Sequence, residues 1–130
     1  MKKKLLISGL VGVLLLGILI GYYAGREGFI IKIKNNSDTT ISNLYITYTQ
    51  APQDKKILKI DSNAKYSINI IPDKSVDEGE MRLYYFDNNG KKHQITLVGY
   101  FEKGYIGRVS VTIKSINENG EMKFKVNSNN

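Results

Sequence analysis

The stretch Phe29-Ile30-Ile31-Lys32-Ile33-Lys34, followed by Asn35-Asn36-Ser37-Asp38, decides the fold. Phe29, Ile31 and Ile33 alternate with Ile30, Lys32 and Lys34, a period of two that places one apolar row on one side of an extended chain. The Asn/Ser/Asp cluster then supplies side chains that bond their own backbone and stop a strand. The same rhythm recurs downstream. A second strand is expected over Ile41 to Thr49, with Leu44, Ile46 and Tyr48 on one face and Asn43, Tyr45 and Thr47 on the other. Ile41 falls out of phase, which predicts a bulge near Ser42.

Two further strands, Lys56 to Ile60 and Tyr66 to Ile71, flank the turn Asp61-Ser62-Asn63-Ala64, and Pro72 ends the second. The acidic loop Asp73 to Glu80 leads to strand Met81 to Phe86. Asp87-Asn88-Asn89-Gly90 reads as a hairpin turn, because Asn, Asp and Gly tolerate left-handed backbone angles. Strands Lys92 to Phe101 and Arg108 to Ile116 surround a loop through Gly104 and Gly107. A second hairpin turn, Asn117-Glu118-Asn119-Gly120, precedes Glu121 to Val126, and Ser128-Asn129-Asn130 is expected to fray. Seven or eight short strands, turns every 8 to 12 residues and no further helix predict an all-β, immunoglobulin-like antiparallel sandwich.

Working back toward the N-terminus, Lys2, Lys3 and Lys4 precede Leu5 to Tyr23, which carries no charge. Nineteen residues at 1.5 Å each give roughly 28 Å of helix, close to the thickness of a bilayer's hydrocarbon core. Basic residues stay on the cytoplasmic side, so the expected order is a basic tail (1–4), a transmembrane anchor (5–25), a short linker (26–28) and an extracytoplasmic sandwich (29–127), with 128–130 as its tail. The competing reading is a cleaved secretory signal. It would cut after Ala24 and set the bulky Tyr22 where a small residue is wanted, whereas Tyr22 and Tyr23 suit an interfacial aromatic belt. Gly17, Gly21 and Gly25 repeat every four residues, a spacing that allows close helix approach and self-association as a homodimer.

Composition narrows the function classes. The chain has no cysteine, so neither a disulfide framework nor lipid attachment at a cysteine is available. Its formal charge is +7, and setting aside Lys2 to Lys4 leaves +4, too small a surplus to argue for nucleic acid. One histidine, His93, and no cysteine cannot assemble a zinc site, and no phosphate loop or serine elbow occurs. The expectation is therefore a non-enzymatic chain without a cofactor, His93 being a solvated residue at the start of a strand. Asp73, Asp77, Glu78 and Glu80 match no calcium loop and read as a solvated acidic stretch.

Two surfaces remain as binding candidates. Lys32 and Lys34 on the first strand and Lys123 and Lys125 on the last would form a basic stripe if those strands share a sheet. The stripe would suit anionic lipid or an anionic wall polymer; alternatively, the lysines guard sheet edges against aggregation. Tyr84, Tyr100 and Tyr105 are candidates for an aromatic recognition surface, their alternative role being cross-strand packing.

The lysine-led anchor, Ile33-Lys34-Asn35-Asn36-Ser37, the segment Ile60 to Ile70 and Tyr100-Phe101-Glu102-Lys103-Gly104 together resemble small, mostly uncharacterised membrane-anchored proteins of Gram-positive bacteria with an extracytoplasmic immunoglobulin-like domain. The resemblance implies a binding or accessory role at the cell envelope, with an envelope or membrane protein as partner. A secreted inhibitor or wall-associated factor is the alternative if the signal is cleaved.

Overall fold

The computed structural model describes residues 12–16 and 27–129. Eight strands build the domain: β1 (Gly28–Asn35), β2 (Ile41–Tyr48), β3 (Lys55–Ile60), β4 (Lys65–Ile70), β5 (Glu78–Phe86), β6 (Lys92–Glu102), β7 (Ile106–Ile116) and β8 (Met122–Asn129). They form two four-stranded sheets, ordered β4-β1-β7-β8 and β3-β2-β5-β6, here the first and second sheets. Three hairpins, β2-β3, β5-β6 and β7-β8, stay within a sheet, and every other connection crosses between sheets. The pairing is antiparallel except for β1 with β7, which run parallel from Gly28 opposite Ile106 to Asn35 opposite Ile113, so the expected wholly antiparallel sandwich is corrected at its central pair.

Alternation explains why these residues form these strands. Phe29, Ile31 and Ile33 of β1 are fully buried and stand opposite Gly107, Val109 and Val111 of β7, where Val109, Val111 and Ile113 are buried as well. From the second sheet, Leu44, Ile46, Met81, Leu83 and Phe101 close the core, and the Phe29 and Phe101 rings meet edge to face at 5.6 Å. Burying each such side chain stabilises the fold by about 1.5–3 kcal/mol. With no disulfide present, this apolar layer and the ladders hold the sheets together.

One polar side chain sits inside. Asn35 ends β1 with no solvent exposure, its Nδ2 donating to the carbonyls of Thr39 (2.8 Å) and Ile60 (3.0 Å). Its Oδ1 accepts from the Ser37 amide (3.0 Å) and the Ser37 hydroxyl (2.6 Å). A buried amide left unpaired would cost about 1–3 kcal/mol; here it is satisfied and ties β1 to the end of β3 in the opposite sheet.

Several expectations change in detail. The phase shift in β2 is not a bulge, since its register with β3 is the same on both sides of Asn43, from Ile41↔Ile60 to Ile46↔Lys55, with no residue inserted. It comes instead from Asn43 at φ 58°, a left-handed angle that asparagine accepts more readily than most residues. Actual bulges lie around Met81 opposite Val98 and at Lys114 in β7. Ser128 and Asn129 do not fray but continue β8, paired with Val109 and Arg108. The expected basic tail 1–4, Gly17, Gly21 and Gly25 lie outside the described residues, as does most of the expected anchor. Residues 12–16 are helical, with Val13 to Leu16 between 58% and 71% exposed, and among the described residues no helix is long and apolar enough to cross a membrane.

Gly28 opens β1 at φ 83°, and a Cβ there would lie 2.4 Å from the Ile70 carbonyl oxygen and 2.9 Å from the Ile71 Cα. Backbone would have to move to admit any side chain. Gly99 has ordinary φ and open space. Gly28→Ala should therefore destabilise the domain by at least about 2 kcal/mol, whereas Gly99→Ala should be neutral or slightly stabilising. Thermal melts of the two variants check this, and equal midpoints would contradict it.

Candidate functional site

The four strands of the first sheet contain seven Lys or Arg residues and no Asp or Glu. Those of the second sheet contain five basic and three acidic residues, so the asymmetry belongs to one sheet. Because Phe29, Ile31, Ile33, Val109, Val111 and Ile113 take the inner face, the intervening cations project from the outer one. Register places them in rows. Lys65, Lys34, Thr112 and Lys125 lie side by side across all four strands, and Ser67, Lys32, Ser110 and Asn127 form the next row. Asn69, Ile30, Arg108 and Asn129 form a third, while Lys123 sits opposite Ser115 beside the Lys114 bulge.

The four lysines expected to form a stripe therefore do share a face, and the structure adds Lys65, Arg108 and Lys114. Alternation in the sequence carried the signal for the first two, since Lys65 precedes inward Tyr66 and Arg108 precedes inward Val109. A shallow groove between these rows is lined by Lys32, Lys34, Lys65, Ser67, Ser110 and Thr112. Among the described residues, none of the seven cations has an ion-pair partner; the three ion pairs found are Lys59–Asp61, Arg82–Glu80 and His93–Asp87. Lys34 stands directly opposite Lys65 in the antiparallel pair, an arrangement that like-charge repulsion disfavours. Edge protection accounts for the lysines of β4 and β8, which border the sheet. It does not account for Lys32 and Lys34, because β1 is an interior strand.

The aromatic candidates separate into different places. Tyr85 and Phe101 are core residues, the Tyr85 hydroxyl accepting a hydrogen bond from the Met122 amide at 2.8 Å. Tyr84 lies on the outer face of the second sheet, stacked on Tyr45 with ring centroids 4.9 Å apart and with Phe86 edge-on to both. The ammonium of Lys92 sits 4.2 Å from the Tyr84 ring centre. The Tyr84 hydroxyl donates to the Asp54 carboxylate, which pushes the phenol up to about 12. Asp54 is held low by hydrogen bonds from Thr47 and Tyr84. Tyr45 completes this cluster, and its place on the outward face of its strand was readable from sequence.

Tyr100 and Tyr105 lie at the end of the sandwich where β1 begins, their rings 6.5 Å apart. Tyr100 donates to Glu102 (2.8 Å) and is also within reach of Glu78 (3.2 Å), and both carboxylates raise its pKa, Glu102 the more. Tyr84 is level with Gln94 on β6, six residues from Tyr100, or roughly 20 Å along the strand. One continuous tyrosine surface is therefore not formed.

The acidic residues do not converge either. Asp73 bonds Ser75, Glu80 pairs with Arg82, and Glu78 faces Tyr100; among the described residues no group of three metal-ligating side chains occurs. His93 is not the solvated residue expected. Its Nε2 lies 2.9 Å from Asp87 Oδ2, and its ring stacks on Tyr85 at 5.1 Å, because the hairpin returns it over the core tyrosine.

No protein-family model matches the chain, and no curated protein matches it. A solved structure described as "NMR structure of the protein from Eubacterium rectale" is similar, at 17% identity and a TM-score of 0.49, over 78% of this chain and 90% of the other.

Asp87 links the hairpin to the ring stack. Its carboxylate is held below the ordinary range first by the His93 hydrogen bond and then by the backbone amides of Lys91 and Asn89. A depressed folded-state pKa stabilises the fold above the unfolded value, about 3.9, and that stabilisation is lost as pH falls through the folded value. Between about pH 5.5 and about pH 3 the native chain should therefore lose more thermal stability than Asp87→Asn does. Parallel melting curves for the two chains across that window would refute the assignment.

Proposed function

We propose that the chain is a non-enzymatic, single-pass membrane protein whose immunoglobulin-like domain is a binding module at the outer face of the cell envelope. The observation that carries the binding role is the outer face of the first sheet, with seven cations, no carboxylate and Lys34 set against Lys65. Unpaired lysines on an interior strand bring no packing benefit in the isolated domain. They become favourable when an anion neutralises them. The ligand chemistry is a surface or polymer dense in phosphodiesters, presented either by anionic lipid head groups or by a wall polymer. Serine and threonine hydroxyls in the groove add hydrogen-bond donors suited to phosphate oxygens.

The immunoglobulin-like reading is supported by strand order. β4 beside β1, facing β3-β2-β5-β6, matches strands E and B facing C′, C, F and G in that fold. β7 takes the place of the first strand, and β8 extends the sheet. The membrane reading is supported by the uncharged run Leu5 to Tyr23 behind three lysines, and by the exposed helical side chains Val13 to Leu16 inside it. Four consecutive apolar side chains facing outward on a helix are stable in lipid and costly in water.

Topology is tested by expressing the full chain with a C-terminal tag in a Gram-positive host and treating intact cells with protease. Full-length protein in the membrane fraction with its tag removed is the expected result. A shortened protein in the medium would instead make the domain a secreted factor.

The binding role is tested on full chain held in nanodiscs of neutral lipid, offered either anionic vesicles or a soluble phosphodiester polymer. Each basic residue near an anionic surface contributes about 1 kcal/mol, so losing four should weaken capture by about a thousandfold, and reversing Lys32, Lys34, Lys123 and Lys125 to Glu by at least that much. Raising salt should weaken native capture as well. Which probe is retained identifies the source of the phosphodiester, and retention of either one by the charge-reversed chain would sink the proposal.

A further inference from the structure

We propose that the end of the sandwich from which β1 starts rests in the bilayer interface, with Ile71, Tyr105 and Ile106 entering the head-group region. This rests on the membrane-anchor reading and specifies how the anchored domain stands. The three side chains surround the point where the chain enters the fold. Gly28 is paired with Ile106, and the close approach at Gly28 brings it against the Ile71 backbone. Gly28 and Tyr105 also line one cleft, together with Ile71 and Pro72.

Their exposure is what requires explanation. Ile71 is 56% exposed and Ile106 58%, at the mouth of a domain that buries every inward isoleucine of β1. Tyr100 and Tyr105 are exposed beside them. At the opposite end the turns are Asn35 to Thr40, Asp61 to Ala64, Asp87 to Gly90 and Asn117 to Gly120, and none of them exposes a large apolar side chain. The two remaining exposed apolar residues of the domain, Leu58 and Phe86, belong to the second sheet. Phe86 lies beside the Asp87 turn at the opposite end and packs edge-on to Tyr45 and Tyr84, whereas Ile71, Tyr105 and Ile106 gather around the point where the chain enters the fold.

Chain length brings that end to the bilayer. Five Cα steps separate Tyr23, the second tyrosine of the expected interfacial belt, from Gly28, a reach of at most about 18 Å even if fully extended. Exposed apolar side chains held this close to a lipid surface lower their free energy by entering it.

The charges around the rim set its tilt. Glu27, Asp73, Asp77, Glu78 and Glu102 share this end, with Lys74 and Lys103 in the loops. The side toward the second sheet holds Glu78 and Glu102 around Tyr100 and is repelled by anionic head groups. On the first-sheet side Glu27 is the carboxylate beside Ile106, and Arg108, Lys32 and Lys34 lie beyond it, so apolar contact gives way to mainly cationic contact along one face. The domain leans onto the corner formed by Ile71 and Ile106, turning the basic face toward the lipid.

The absence of tryptophan allows a direct test, because each single substitution introduces a sole indole. Full chain is reconstituted in vesicles containing lipids brominated on the acyl chain, which quench indole only at short range. Tyr105→Trp and Ile106→Trp are compared with Phe86→Trp, which lies at the far end of β5, roughly 25 Å away. Leu15→Trp reads the anchor independently. The expected result is strong quenching at Leu15, at least threefold stronger quenching at 105 and 106 than at 86, and a further increase when anionic lipid is included. Quenching at Leu15 with 105 and 106 no more quenched than 86 would overturn the interfacial placement while leaving the anchor intact. No quenching at Leu15 would overturn the anchor and this proposal together.

Discussion

The fold depends on β1 having neighbours on both sides. It is the first strand of the domain, yet its partners, β4 and β7, begin 37 and 78 residues after it. Both must close before Phe29, Ile31 and Ile33 are sealed, and the parallel pairing with β7 cannot be made by a hairpin. Folding is therefore non-local, with the slow search that long loop closure imposes. The fully buried Asn35 fixes the far end of this strand, bonding to the end of β3 across the sandwich. Gly28 fixes the near end, where only a residue without a side chain fits against Ile70 and Ile71.

The same central position gives the basic face its meaning. Lysines at a sheet border protect an edge, but Lys32 and Lys34 have β4 on one side and β7 on the other. Their repulsion from Lys65 and Lys125 persists in the folded domain, because the sheet holds the charges within one screening length of each other. The second sheet is balanced differently: its outward tyrosines are engaged by Tyr45, Asp54 and Lys92, and its acids by Arg82 and Tyr100. One sheet thus satisfies its polar groups internally, while the other leaves its cations to solvent or to a partner.

The local rules were legible where residues act within their own strand. Alternation marked the apolar faces of β1 and β2, and the Asn/Asp/Gly clusters marked the hairpin turns, because both signals depend on residues a few positions apart. Departures occurred where a contact reaches across the chain. Ser128 and Asn129 look like a polar tail until β7 pairs with them. His93 looks solvated until the hairpin sets it against Asp87 and Tyr85. The phase shift at Ile41 was visible, but a left-handed asparagine and a bulge leave the same trace in the pattern of apolar residues.

By itself the sequence determined an all-β domain of seven or eight strands, the apolar rows of its first two strands, the absence of cysteine and the uncharged run before it. These follow from periodicity, composition and length, which are properties of neighbouring residues. Only the tertiary structure decided which strands share a sheet. That choice gathered Lys32, Lys34, Lys65, Arg108, Lys114, Lys123 and Lys125 on one face, divided the tyrosines between two places and set Ile71 and Ile106 around the chain's entry point. The physical reason is that sheet order depends on the combined packing of strands far apart in the chain, and no local pattern encodes which distant strand will become a neighbour.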